Sequence, residues 1–278
     1  MKHVEGDFKG IDGLKIYYQG WLPEGNIKAI VQIAHGFAEH SGRYMNVVNE
    51  LVPLGYAIYA NDHRGHGKSE GTTNYVKSMD DFVEDLKIFH DIIREKHPNV
   101  PIFLLGHSMG SGIAVNFAYK YQDLLKGLIL SGVGTSVGED LSGFLKFMSK
   151  VLSKIAPKMK IDPKLDPNTL SHDPEVVKAY VEDPLVHHEV ITARLGYILL
   201  KTFKDLGSKL EKIQIPTIVQ RGKEDKAMQG FDVLLPYFKM EDKEIHEYDG
   251  LYHEVYNEIE EKRKTVLKDL SNWLGKHI

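Results

Sequence analysis

Apolar residues in the first half of the chain fall into short runs, interrupted only at Gln32. Ala29 to Ala34, Gly55 to Ala60, Pro101 to Leu105 and Gly127 to Leu130 are each four to six residues long. Runs of that length, apolar on both faces, predict strands covered on both sides of a parallel sheet. Leu14 to Trp21 is rich in aromatic and β-branched residues and predicts another strand. Between these runs the period changes. From Asp80 to Lys96, Phe82, Leu86, Phe89 and Ile93 recur at helical spacing, and Pro98 stops the pattern. Gly112 to Tyr121 predicts a second helix. Strands alternating with helices imply an α/β fold, a mostly parallel sheet flanked by helices.

The alternation breaks after Gly134. From Thr135 to Lys212 the pattern is mainly helical, punctuated by Pro157, Pro163, Pro167, Pro174 and Pro184. Strand patterns resume at Pro216 to Arg221 and Glu244 to Tyr248, and residues 258–278 close the chain as a helix. The expected organisation is a core in two parts, 1–134 and 213–278, interrupted by a helical cap over 135–212. No internal repeat or low-complexity stretch is present.

Composition narrows the function. Hydrophobic residues make up 42% and charged residues 27%, so a large core is affordable and disorder is excluded. Lys plus Arg is 35 against 39 Asp plus Glu, a formal charge of −4, which argues against nucleic acid as the main partner. The absence of cysteine removes disulfide scaffolds, zinc–thiolate sites and a cysteine nucleophile. Met1 to Gly13 is polar, with no apolar leader segment. No run approaches 18 apolar residues, so no membrane span is expected. The expected location is the cytoplasm.

The chemistry centres on Gly106-His107-Ser108-Met109-Gly110, a G-x-S-x-G motif between a predicted strand and a predicted helix. That context makes a sharp turn that holds a serine proud of the sheet. A serine hydroxyl needs a base, and the base needs an orienting partner. In this arrangement the chain order is serine, acid, histidine. Strand 216–221 is followed by Gly222-Lys223-Glu224-Asp225, and strand 244–248 by Asp249-Gly250-Leu251-Tyr252-His253. Asp225 and His253 therefore occupy the right loops. Glu224 is the rival acid, with Asp249 behind it. Two backbone N–H groups should stabilise an oxyanion: Met109, after the nucleophile, and Phe37, in His35-Gly36-Phe37 after strand 29–34.

These motifs carry a family resemblance. His35-Gly36-Phe37-Ala38-Glu39-His40-Ser41-Gly42-Arg43-Tyr44, Asp62 to Gly71 (Asp62-His63-Arg64-Gly65-His66-Gly67-Lys68-Ser69-Glu70-Gly71) and the serine motif resemble the monoacylglycerol lipases and lysophospholipases of the α/β-hydrolase superfamily. His172-Asp173-Pro174-Glu175 and Asp183-Pro184-Leu185-Val186 extend the likeness through the cap. The resemblance implies an α/β-hydrolase fold and hydrolysis of a fatty-acyl ester by Ser108, Asp225 and His253 under a lipid-binding cap, without a cofactor. It also places Glu39 and Arg43 near the polar entrance, as an ion pair fixing the oxyanion loop or, less favoured, in contact with substrate. Ser111 stands where the group usually has a second glycine, and Tyr256 where mammalian members have a histidine that reads the glycerol.

Other readings are weaker. Gly67-Lys68-Ser69 lacks the earlier glycine of a phosphate-binding loop, position 62 being Asp62, and Asp62 with Arg64 reads as a structural hydrogen-bonding pair. His187-His188-Glu189 and His63-Arg64-Gly65-His66 do not continue into metal-binding spacings, so no metal is expected. A lysophospholipase or a general carboxylesterase is the nearest alternative. An aminopeptidase would use acidic cap residues such as Glu139, Asp140 and Glu182, and a ligand binder on the same fold would have lost a triad member. The expected partner is a small lipid ester, and no feature calls for an obligate protein partner. Leu141, Phe144, Leu145, Met148, Val151, Leu152 and Ile155 recur at helical spacing beside Lys146, Lys150, Lys154 and Lys158. That pattern suits either an ordinary cap helix or a weak, peripheral contact with a membrane.

Overall fold

In the computed structural model, residues 1–137 and 143–278 are described, except for the side chains of Val137 and residues 143–147. Eight strands among the described residues form one sheet: β1 (Lys2–Lys9), β2 (Lys15–Leu22), β3 (Ala29–Ala34), β4 (Tyr56–Asn61), β5 (Ile102–His107), β6 (Gly127–Ser131), β7 (Thr217–Gly222) and β8 (Lys243–Tyr248). Their order is β1-β2-β4-β3-β5-β6-β7-β8. β1 and β2 run antiparallel at one edge, and the strands from β4 to β8 are parallel. The four interior apolar runs are buried along their whole length, which is why they lack alternation. β1 escapes the pattern because it is an edge strand: only Phe8 is fully buried, and Gly6 occupies an inward position.

The helices are α1 (Met45–Leu51), α2 (Met79–Lys96), α3 (Met109–Tyr121), α4 (Gly143–Ile155), α5 (Pro174–Glu182), α6 (Ala193–Lys204), α7 (Leu206–Leu210), α8 (Phe231–Leu234) and α9 (Glu260–Lys276). α2 begins with a capping box, Ser78 Oγ donating to Asp81 at 2.7 Å and the Ser78 N–H at 3.3 Å. α5 starts on Asp173, whose side chain accepts from the Glu175 N–H, with Pro174 at the first helical position. On one face of the sheet, Phe82, Leu86 and Phe117 of α2 and α3 pack together. On the other, Val47, Leu51 and Trp273 of α1 and α9 do so. Each such fully buried side chain contributes roughly 1.5–3 kcal/mol. α4, α5, α6 and α7 all lie in sequence between β6 and β7.

Register decides where chemistry can collect. Ala34 pairs with Gly106 and His107 with Ser131, so β3, β5 and β6 end side by side. Gly222 pairs with Tyr248, so the loops after β7 and β8 leave from that same carboxyl edge. Open α/β sheets bind ligands there.

Candidate active site

Ser108 joins β5 to α3 with φ 53° and ψ −120°. A non-glycine residue in that region stores on the order of 1–3 kcal/mol, released only if the surroundings give way. They cannot easily do so. A Cβ on Gly110 would strike the carbonyl groups of Ala34 and His35, and one on Gly106 would meet Gly110 and Ala114. The Ser108 N–H donates to the Ser131 carbonyl at 2.9 Å. Ser111, in the glycine's place, is fully buried and donates its hydroxyl to the Ser108 carbonyl at 2.6 Å, so the departure supports the turn.

Asp225 and His253 meet across 28 residues of sequence, with His253 Nδ1 donating to Asp225 Oδ2 at 2.7 Å. Asp225 Oδ1 accepts from the N–H groups of Ala227 and Met228, both at 2.9 Å. Burial alone would raise the Asp225 carboxyl, but the charge and hydrogen bond of His253 outweigh it and hold the group below its ordinary value. Burial would likewise lower His253; Asp225, then Glu254 and Glu39, outweigh it and hold the imidazole above its ordinary value. The rival acids are elsewhere. Glu224 is exposed, and Asp249 is on the surface, paired with Lys223 at 2.8 Å.

Ser108 and His253 line one cavity of about 550 Å³, together with Phe37 and Met109. Most of the remaining wall is apolar, with Leu152, Leu165, Ile191, Leu200 and Phe203 from the segment between β6 and β7. The loop after β3 closes on Ser108: a Cβ on Gly36 would lie 3.3 Å from that of Ser108. Ala38, in the same loop, has a positive φ of 64°.

Residues 25–260 match the hydrolase family described as serine aminopeptidase, S33. The chain belongs to that family. It is therefore a hydrolase, and its sheet is the α/β-hydrolase fold expected from the sequence. The S33 chain is 36% identical over 276 residues to a monoacylglycerol lipase of Mycolicibacterium smegmatis, covering 99% of this chain and 98% of that one. It is 31% identical to the monoglyceride lipase of Homo sapiens, over 95% of this chain and 88% of the human one. The crystal structure of the Paleococcus ferrophilus monoacylglycerol lipase superposes with a TM-score of 0.82 at 30% identity, covering all of both chains.

The polar end of the S33 cavity is an ion triplet only partly foreseen. Arg43 donates through Nη1 to Glu39 Oε2 at 2.9 Å, the expected pair, and also grips Glu254 with two bonds of 2.7 and 2.8 Å. Glu39 in turn accepts from the Gly36 N–H at 2.6 Å and the Tyr44 hydroxyl at 2.8 Å. The loop after β3 and the residue after His253 are thus joined through one guanidinium. Tyr180 of α5 covers that guanidinium, its ring centre 4.6 Å from Cζ. Nothing local marked Glu254 or Tyr180; their partners lie 211 and 137 residues away. His107 was also overlooked. Its ring lies 4.8 Å from that of His253, tilted by 46°, and is pushed down to about 3 by burial and then by the charge of His253, so it stays neutral.

A second attachment holds the histidine loop. The fully buried Glu258 accepts from the Tyr252 N–H at 2.7 Å and from His172 Nδ1 at 2.9 Å, and the His172 ring stacks on Tyr252 at 3.6 Å. The Glu254 N–H donates to the Leu170 carbonyl at 2.8 Å, and Ser171 donates to the Asn257 carbonyl. Residues 170–172 therefore brace both sides of His253.

Other expectations change in detail. Asp62 and Arg64 are structural but are not each other's partners. Asp62 accepts from Ser41 and the Lys68 N–H, while Arg64 pairs with Asp85 at 2.7 and 2.8 Å. Tyr256 turns from the cavity into the core, donating to Gln220 at 2.7 Å. On α4, Met148 and Leu152 face the cavity, whereas Lys150 and Lys154 are exposed and Ile155 is 74% exposed. Glu139, Asp140 and Leu141, and the side chains of Phe144, Leu145, Lys146 and Phe147, lie outside the described residues. Among the described residues no helix is long and apolar enough to cross a membrane.

Proposed function

We propose that this S33 hydrolase cleaves monoacylglycerols through an acyl-enzyme on Ser108. The observation that carries the reading is the Asp225–His253 pair, 2.7 Å apart, facing the same apolar cavity as a serine held on a strained turn. His253 takes the Ser108 proton as Oγ attacks the ester carbonyl, then returns it to the departing glycerol oxygen. Water repeats the sequence on the acyl-enzyme and releases the fatty acid. The N–H groups of Phe37 and Met109 bind the oxyanion. The segment between β6 and β7 acts as a cap, and its apolar side chains on the cavity wall, such as Leu152, Leu165 and Leu200, receive the acyl chain.

The ion triplet supports a neutral head group. Arg43 is the one cation lining the cavity among the described residues, and two carboxylates hold it. A lysophospholipid phosphate would find no uncommitted positive charge there. The same pairing argues against an aminopeptidase, because Glu39 and Glu254 are bound to Arg43 instead of standing ready for a substrate amine. The exposed lysines of α4 suit weak, salt-sensitive attachment of the cap to an anionic lipid surface.

Ser108→Ala tests the reading. It should abolish fluorophosphonate labelling and reduce turnover of monooleoylglycerol by several orders of magnitude in a folded protein. Substantial turnover by the purified variant would refute the reading. Faster cleavage of lysophosphatidylcholine than of monooleoylglycerol by the wild type would reassign the head group. Co-sedimentation with anionic vesicles at low and high salt reports on membrane attachment; no binding at either would remove it.

A further inference from the structure

Gly196 is the fourth of the twelve residues of α6, inside a helix where glycine is the least favourable residue after proline. Three other helical glycines have a steric reason. A Cβ on Gly110 would strike backbone carbonyls, one on Gly112 would crowd Phe203 and Thr202 at 3.3 Å, and one on Gly207 would lie 2.7 Å from Tyr237. On Gly196 it would meet only Ile191 Cδ1, at an ordinary 3.8 Å, and the backbone there has no positive φ. Neither packing nor conformation demands this glycine. Gly275 also has open space, but it sits exposed in the last turn of α9. Gly196 opens onto the cavity.

Its neighbours on that wall are apolar. Ala193, Leu199, Leu200 and Phe203 lie at i−3, i+3, i+4 and i+7, the same face of α6, and all line the cavity. Phe203 packs against Gly112, one turn beyond Ser108. Seven residues of helix separate Phe203 from Gly196, about 10 Å at 1.5 Å each. An acyl chain that runs along this wall from the Phe203 end reaches Gly196 only when it is long.

We infer that Gly196 determines the length of acyl chain this enzyme accepts, its missing side chain being room for the distal part of a long chain. The inference rests on the acyl-ester reading above, and the experiment separates the two. The readouts are the ratio of kcat/KM for p-nitrophenyl palmitate to that for the butyrate, and the Kd of a pyrene-labelled dodecanoic acid by anisotropy. Gly196→Phe should lower the palmitate-to-butyrate ratio by at least ~100-fold and weaken dodecanoate binding comparably, as expected when a side chain fills an apolar pocket. Gly196→Leu should do the same to a lesser degree and serves if the Phe variant does not fold. Gly196→Ala should raise Tm by ~2–4 °C, because the helix gains a better former. Gly275→Ala should leave the ratio unaltered. A ratio within ~3-fold of wild type in the Phe and Leu variants would overturn the inference. Absence of ester turnover by the wild type would overturn the functional reading instead, and dodecanoate binding would still decide the role of Gly196.

Discussion

Replacing Asp225 by asparagine removes one charge and leaves the shape. The outcome follows from the donors around it. Asp225 Oδ1 is fixed by two N–H groups, Ala227 and Met228, each at 2.9 Å, while Oδ2 accepts one N–H from His253 at 2.7 Å. An asparagine has one oxygen to offer. Turned toward His253, its NH₂ would face two buried backbone donors, leaving both unsatisfied at about 1–3 kcal/mol each. Turned toward the backbone, its NH₂ faces Nδ1 instead. The second orientation wins, and Nδ1 must then become an acceptor. The imidazole proton moves to Nε2, the nitrogen that should receive the serine proton. The base is present but in the wrong tautomer, a defect that costs other triads ~10⁴-fold, or about 5.5 kcal/mol of transition-state stabilisation. Steady-state hydrolysis of p-nitrophenyl butyrate measures the loss, and a thermal melt verifies that the fold survives. Glu224→Gln, at the exposed neighbour, should fall within a factor of about three of wild type. A loss below ~10-fold for Asp225→Asn, or a larger loss for Glu224→Gln, would refute the reasoning.

Three further outcomes follow from the geometry. Glu254→Gln removes a negative charge that holds His253 above its ordinary value; since the base works neutral, the acid limb of a kcat/KM profile should move to lower pH, and a limb that stays or rises would contradict this. Gly110→Ala drives a methyl group into the Ala34 and His35 carbonyls, so it should destabilise by about 3 kcal/mol, the upper part of the overpacking range, and slow fluorophosphonate labelling, both readable on one sample. Arg64→Met strands the buried Asp85 carboxylate and should cost ~3–5 kcal/mol at pH 7 by denaturant unfolding. Burial already raises Asp85 despite Arg64, and a group raised in the folded state adds stability below its unfolded value and loses it as pH rises. The Arg64→Met deficit should therefore shrink toward pH 5.

The interior parallel strands could be read from the sequence because burial on both faces leaves a run with little polar alternation, and the meeting of Asp225 with His253 because each follows a strand that ends at the same carboxyl edge. What could not be read depends on which distant elements meet. Asp62 and Arg64 sit two apart, yet Arg64 reaches Asp85 on α2, and no local rule separates those choices. Glu254 looks like any acidic residue until the fold brings Arg43 to it. Glu258 is one of several glutamates at the start of the closing helix expected from sequence, and a fully buried acceptor in space. β1 was faint for the opposite reason: an edge strand needs little apolar surface.

The bracing of the His253 loop by residues 170–172 bears on how new specificities can arise. The segment between β6 and β7, proposed above as a cap, is an attractive unit to exchange between relatives, since it lines most of the apolar cavity wall. Here the exchange would not be neutral for the chemistry. A foreign segment without His172 leaves Glu258 facing the Tyr252 N–H with one donor fewer, and a displaced Leu170 carbonyl frees the Glu254 N–H. Productive chimeras should therefore carry residues 252–258 along with their cap. Lineages diverging in substrate should show the two stretches inherited together although eighty residues of chain separate them.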